Sequence, residues 1–151
     1  MSENERNILF ADLCARLPYD VKVYTKRDYD IDHPFYTEYN TVDFVAWILE
    51  LNTDEKTLHL VLCDENDDKD EYFQEWFDAE WVDVREVKPY LRPMASMTES
   101  ELKELDEIEN CKVLPSVKLT MQIDFMNSIH IDYRGLIDNG FALPAPKGMY
   151  E

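Results

Sequence analysis

The fifteen residues from Val87 to Glu101, Val-Lys-Pro-Tyr-Leu-Arg-Pro-Met-Ala-Ser-Met-Thr-Glu-Ser-Glu, divide this chain into two unlike halves. Pro89 and Pro93 each fix φ and lack an amide donor, which excludes them from helix interiors and central strands. Strand-like sequence precedes them and helix-like sequence follows. At Thr98 a helix restarts. The Thr98 hydroxyl can accept from the amide near Glu101, and the Glu101 carboxylate can reach back, with Met97 the apolar residue just outside. The expected organisation is one domain over 1–151. A helix plus a β half occupy 1–86, a proline-rich seam 87–97, and a helical half with an extended tail 98–151.

Ser2 and Glu5 form a second capping-box signature, and Ile8, Leu9, Leu13, Cys14 and Leu17 recur at helical spacing until Pro18. The pattern predicts an amphipathic helix over 3–16. Val21 and Val23 alternate as in a strand, and the polar, aperiodic run from Lys26 to Asn40 predicts a loop. Val42 to Leu51 and Thr57 to Cys63 are β-branched and aromatic, and Asn52-Thr53-Asp54-Glu55-Lys56 supplies turn chemistry for a hairpin. On the first of these strands Phe44, Ala46 and Ile48 share one face, and Val45, Trp47, Leu49 and Leu51 the other. Two apolar faces predict a central strand.

Phe73, Trp76 and Phe77 fall at helical spacing, opposite Glu71, Glu75 and Asp78, which predicts a short helix with an acidic outer stripe. Trp81 to Val84 alternates and should pair into the sheet. Past the seam, Leu102, Leu105 and Ile108 give Thr98–Asn110 a narrow apolar face. Val117, Leu119, Met121, Ile123 and Phe125 alternate like a strand, yet Val117, Met121, Phe125 and Ile129 also fit a helix, which is expected from about Thr120 to Ile131. Leu143-Pro-Ala-Pro predicts an extended tail laid on the surface. The expected fold class is α+β. It comprises an N-terminal helix, an antiparallel sheet or small SH3-like barrel of about four strands, and a C-terminal helical subdomain.

A formal net charge of -18 on 151 residues argues against direct nucleic-acid ligands and anionic membranes, and favours basic protein surfaces or cations. Half of that charge lies between Asp64 and Glu86. Cys14, Cys63 and Cys111 are odd in number and widely spaced, as expected of reduced thiols in the cytoplasm. The longest apolar run, Phe44 to Leu49, is far short of the roughly 20 residues a membrane span needs.

Three blocks carry a family resemblance: Leu9-Phe-Ala-Asp-Leu-Cys-Ala-Arg-Leu-Pro-Tyr-Asp-Val-Lys-Val, Val87-Lys-Pro-Tyr-Leu-Arg-Pro-Met-Ala-Ser-Met-Thr-Glu, and Asp132-Tyr-Arg-Gly-Leu-Ile running on to Ala145-Pro-Lys-Gly-Met-Tyr. They resemble a family of small proteins from gut Bacteroidetes, their prophages and mobile elements. Asp20 stands where glycine would be more familiar. The resemblance implies helix around Phe125 to His130 and a phage or mobile-element setting, hence a host-cell cytoplasm. It implies no activity.

Three constellations could carry function. The acids Asp67, Asp68, Glu71, Glu75 and Asp78 could engage a basic protein surface. Carboxylates four apart on a helix lie roughly 5–6 Å apart, close to phosphate spacing, so this stripe could mimic nucleic acid and inhibit a nuclease or defence complex. Asp64, Asn66, Asp68, Asp70 and Glu75 stand at positions one, three, five, seven and twelve of a calcium loop, although Lys69 replaces its turn glycine and a strand-like element precedes it. Calcium is the cofactor this would imply. For an enzyme, His130, Asp132, Tyr133 and Arg134 offer a base, an orienting carboxylate, an acid and an anion clamp. The simpler reading makes Asp132 and Arg134 a structural ion pair or turn lock, with Gly135 permitting the bend. The reading that weighs most is a non-enzymatic accessory protein binding a basic partner surface.

Overall fold

The structure is a computed structural model and describes residues 1–28, 41–62 and 81–150. Helix α1 spans Glu3–Arg16, and its start follows from the sequence: the Ser2 hydroxyl accepts from the Glu5 amide while the Glu5 carboxylate accepts from the Ser2 amide. Leu17–Tyr19 closes it with a 3-10 turn, and Asp20 then takes a left-handed conformation with φ of 54°. That conformation favours glycine and tolerates Asp, which accounts for the residue found at this position.

Strands β1 (Lys22–Asp28), β2 (Thr41–Asn52), β3 (Thr57–Leu62), β4 (Trp81–Asp83), β5 (Val87–Leu91) and β6 (Leu143–Pro144) form one open sheet in the order β4-β3-β2-β1-β5-β6. Every pairing is antiparallel except β5 with β6. The sheet thus has six strands where about four were expected, because the seam and the tail each contribute one. Lys26 to Asp28 belong to β1 instead of a loop: β2 reaches back to Thr41 and supplies each with a partner. The remainder of that predicted loop lies outside the described residues.

Pro89 also departs from expectation, since it sits within β5 opposite Val23 of β1. One step along the ladder, the Lys22 amide donates to the Tyr150 hydroxyl, which donates in turn to the Tyr90 carbonyl. The hydroxyl stands where a direct ladder bond would run. Hydrogen-bonding and non-hydrogen-bonding pairs alternate, so the Pro89 nitrogen points away from β1, and β6 pairs only with Tyr90 and Leu91. No ladder bond is asked of the proline.

In β2 the register shifts between Ile48 and Glu50, which makes Leu49 an inserted residue. The bulge reverses the alternation beyond it. Leu51 therefore joins Ala46 and Ile48 against the core, not the Val45–Trp47 face to which strict alternation assigns it, and Leu49 is left 54% exposed. The core is the layer between α1 and this face. Leu9, Phe10 and Leu13 pack with Val21, Val23, Ala46, Leu58, Val82, Val84, Val87 and Leu91, and Leu136 and Ala142 extend it. At roughly 1.5–3 kcal/mol per fully buried Val, Leu or Phe, this layer is the main source of stability.

Helices α2 (Glu99–Asn110) and α3 (Pro115–Ser128) form a hairpin after the seam. The Thr98–Glu101 capping box is present, and Glu101 also grips Arg92 through both oxygens at 2.6 and 2.9 Å. Helix α3 begins five residues before the expected Thr120, because Pro115 takes the first helical position, where its fixed φ is pre-set for a helix.

Candidate functional site

Two charged residues interrupt the buried face of α1. Leu9, Asp12, Leu13 and Arg16 recur at spacings of three and four, so Asp12 and Arg16 are carried inward with the leucines, and both are fully buried. Arg16 Nε donates to Asp12 Oδ2 at 2.7 Å, and its Nη2 donates to Asp12 Oδ1 at 3.3 Å and to the Ile131 carbonyl at 2.8 Å. Arg134 Nε approaches Asp12 Oδ1 at 3.0 Å from the other side. Both guanidiniums lie over the Tyr133 ring, with Arg16 Cζ 5.4 Å and Arg134 Cζ 5.1 Å from its centroid. One carboxylate thus ties α1 to the segment after α3.

That segment is held on its other side by the seam. The Arg92 amide donates to the His130 carbonyl and the Asp132 amide to the Arg92 carbonyl, both at 2.8 Å. Asp132 accepts the Leu136 amide on Oδ1 and the Ile137 amide on Oδ2, each at 2.9 Å, and Gly135 bends the chain with φ of 70°. Asp132 is therefore a turn lock, as the simpler reading had it. Arg134 pairs with Asp12, 122 positions away in sequence, instead of with Asp132.

His130 has φ of 58°, is 6% exposed, and stacks on Tyr150 with ring centroids 3.7 Å apart. Burial, with the charges of Arg16 and Arg92, pushes its imidazole down to about 4, against a weaker opposite pull from Asp20. The ring is neutral at pH 7. Its Nδ1, the Arg16 Nη1, the Asn127 Oδ1 and the Tyr133 hydroxyl are buried without a hydrogen-bond partner. Of the expected enzyme constellation, the fold aims Asp132 at amides and Arg134 at Asp12, and stacks His130 on Tyr150. What this geometry does chemically is hold charge and hydrogen bonds between α1, the seam and the tail.

The helix hairpin beside this cluster is largely exposed. Among the described residues, α2 buries none of its side chains and α3 buries only Asn127. Helix α2 carries six carboxylates and one lysine. Leu102 on α2, Val113 and Leu114 in the connection, and Val117, Leu119 and Met121 on α3 are all exposed. The hairpin is closed by Gln122 donating to Glu109 and by Lys118 donating to the Glu109 carbonyl.

The other expected site residues, Asp64, Asn66, Asp67, Asp68, Asp70, Glu71, Glu75 and Asp78, lie outside the described residues, as do Cys63 and the predicted helix around Phe73–Phe77. Among the described residues no group of three or more His, Cys, Asp or Glu side chains is placed to hold a metal ion, and no helix is long and apolar enough to cross a membrane. Cys14 and Cys111 are free thiols, and burial raises the Cys14 thiol above its ordinary value. No family model, curated protein or solved structure matches this chain.

Proposed function

We propose that this chain is a non-enzymatic, acidic protein-binding accessory protein whose partner presents a basic surface. The observation that carries the reading is α2, a twelve-residue helix with six acids whose narrow apolar face is only partly covered: Leu102 is exposed, and Leu105 and Ile108 are half-buried. Helices in proteins draw most of their stability from burying an amphipathic face, so a face left half-covered in its own fold suits a partner. The net charge of -18 sets the sign of that partner, by steering basic surfaces inward and repelling nucleic acid.

The finer form of the proposal rests on the family resemblance. In a phage or mobile-element setting, the basic surface belongs to a host nucleic-acid-handling or defence complex in the cytoplasm, and the acidic stripe acts as a nucleic-acid mimic. Asp67, Asp68, Glu71, Glu75 and Asp78 are the residues assigned to it. Replacing Glu71, Glu75 and Asp78 with lysine is expected to weaken partner binding while leaving the melting temperature unchanged. Binding that survives the charge reversal would reject the assignment.

A further inference from the structure

We propose that the outer face of α3 is a docking stripe for a basic amphipathic helix of a partner protein. The inference rests on the acidic-binder reading and adds an apolar contact on α3 to the acids assigned above. Leu114, the N-cap residue just outside α3, precedes Val117 by three positions, and Met121 follows Val117 by four on the same face of the helix. They are 71%, 44% and 40% exposed, and half-buried Phe125 continues the line. This spacing is the one an amphipathic helix fills with its own apolar residues.

Charge selects the occupant. The hairpin from Thr98 to Ser128 holds seven carboxylates, six of them on α2, against three lysines; on α3 itself exposed Asp124 flanks the stripe, and half-buried Lys118 is turned to the Glu109 carbonyl of α2. A second copy of the chain would bring another -18 to the contact, and the chain's own segment from Asp64 to Glu80 has the same sign as the hairpin. A helix with leucine-like anchors on one face and lysine or arginine beside them satisfies both the apolar stripe and the acidic hairpin that carries it.

Leu114 supplies a test in which stability and binding move oppositely. It is the N-cap of α3, with extended φ and ψ of -60° and 145° and no side-chain capping bond. Aspartate there caps the helix and favours its N-terminus, so Leu114→Asp is expected to raise the melting temperature. The same change removes the most exposed anchor of the stripe while adding a negative charge. Binding driven by charge alone would tighten.

The probe is a fluorescein-labelled, helix-forming peptide of leucine and lysine, with leucines at i, i+3, i+4 and i+7, compared with a scrambled isomer of the same composition. Anisotropy titrations at about 150 mM salt keep long-range attraction screened. The expected result is binding of the amphipathic peptide at least about tenfold tighter than its scrambled isomer, with a loss of at least about tenfold in both Leu114→Asp and the Val117→Gln/Met121→Gln double variant. Equal binding of both peptides, with neither variant weakened, would overturn the stripe and leave the charge reading standing. Absence of binding by either peptide would overturn both. A wild-type dimer in light scattering that the double variant converts to monomer would also overturn the proposal, since the occupant would be a second copy.

Discussion

Acidification should destabilise this protein through His130 above the range in which Asp83 and Glu101 lose their contributions. The imidazole falls from an ordinary 6.5 to about 4 in the folded chain, chiefly by burial and then by the charges of Arg16 and Arg92. An unfolded chain therefore binds a proton in this range that the folded chain refuses. The stability tied to the neutral ring is fully present above about pH 6.5 and is lost as pH falls through 4. At about 1.36 kcal/mol per unit, the whole effect is at most about 3 kcal/mol, with about 2 kcal/mol gone by about pH 5; partial solvent screening of the ring lowers both figures. Asp83 and Glu101, held at about 2 mainly by Arg85 and Arg92 respectively, lose their contributions only below their ordinary range near 4, so the windows separate. The difference in urea midpoint between wild type and a His130 variant, measured from about pH 7 to about pH 5, reads the His130 part. In His130→Asn, a residue that tolerates the left-handed backbone at φ of 58°, the midpoint should flatten over that range. A flat wild-type curve, or an unchanged slope in the variant, would refute the reasoning.

Asp12→Asn should cost about 3–5 kcal/mol in chemical denaturation, because it strips the counter-charge from fully buried Arg16 and leaves Arg134 without its carboxylate. Tyr150→Phe should lower stability by about 1–2 kcal/mol by leaving the Lys22 amide and the Tyr90 carbonyl without the hydroxyl that joins them, and amide exchange at Lys22 should accelerate. Thr98→Ala removes the cap of α2 and should cost about 1 kcal/mol, read as a lower melting temperature.

How far the sequence anticipates this fold is clearest element by element. Both capping boxes, the β2–β3 hairpin and the strand alternation of Trp81–Asp83 depend on local chemistry, and all are where the residues put them. Non-local pairing is what local patterns miss. Pro89 enters a strand because the alternation of its ladder and the short reach of β6 require no donor there, and Leu51 changes faces because of one inserted residue. The buried cluster had a readable signal that periodicity in apolar residues alone overlooks: Asp12 and Arg16 occupy inward positions of the Leu9–Leu13 stripe, four apart. That they meet Arg134 could not be read, since 122 positions separate Arg134 from Asp12.

The central claim, that this acidic chain works by binding a basic protein surface, is tested most directly by affinity capture. The tagged protein is presented to a nuclease-treated cell lysate, and bound proteins are eluted in steps of rising salt and identified by mass spectrometry. The account predicts one basic partner, released at moderate salt and absent when Glu71, Glu75 and Asp78 are replaced with lysine. A partner retained equally by that variant, or no partner enriched across repeated lysates, would contradict it.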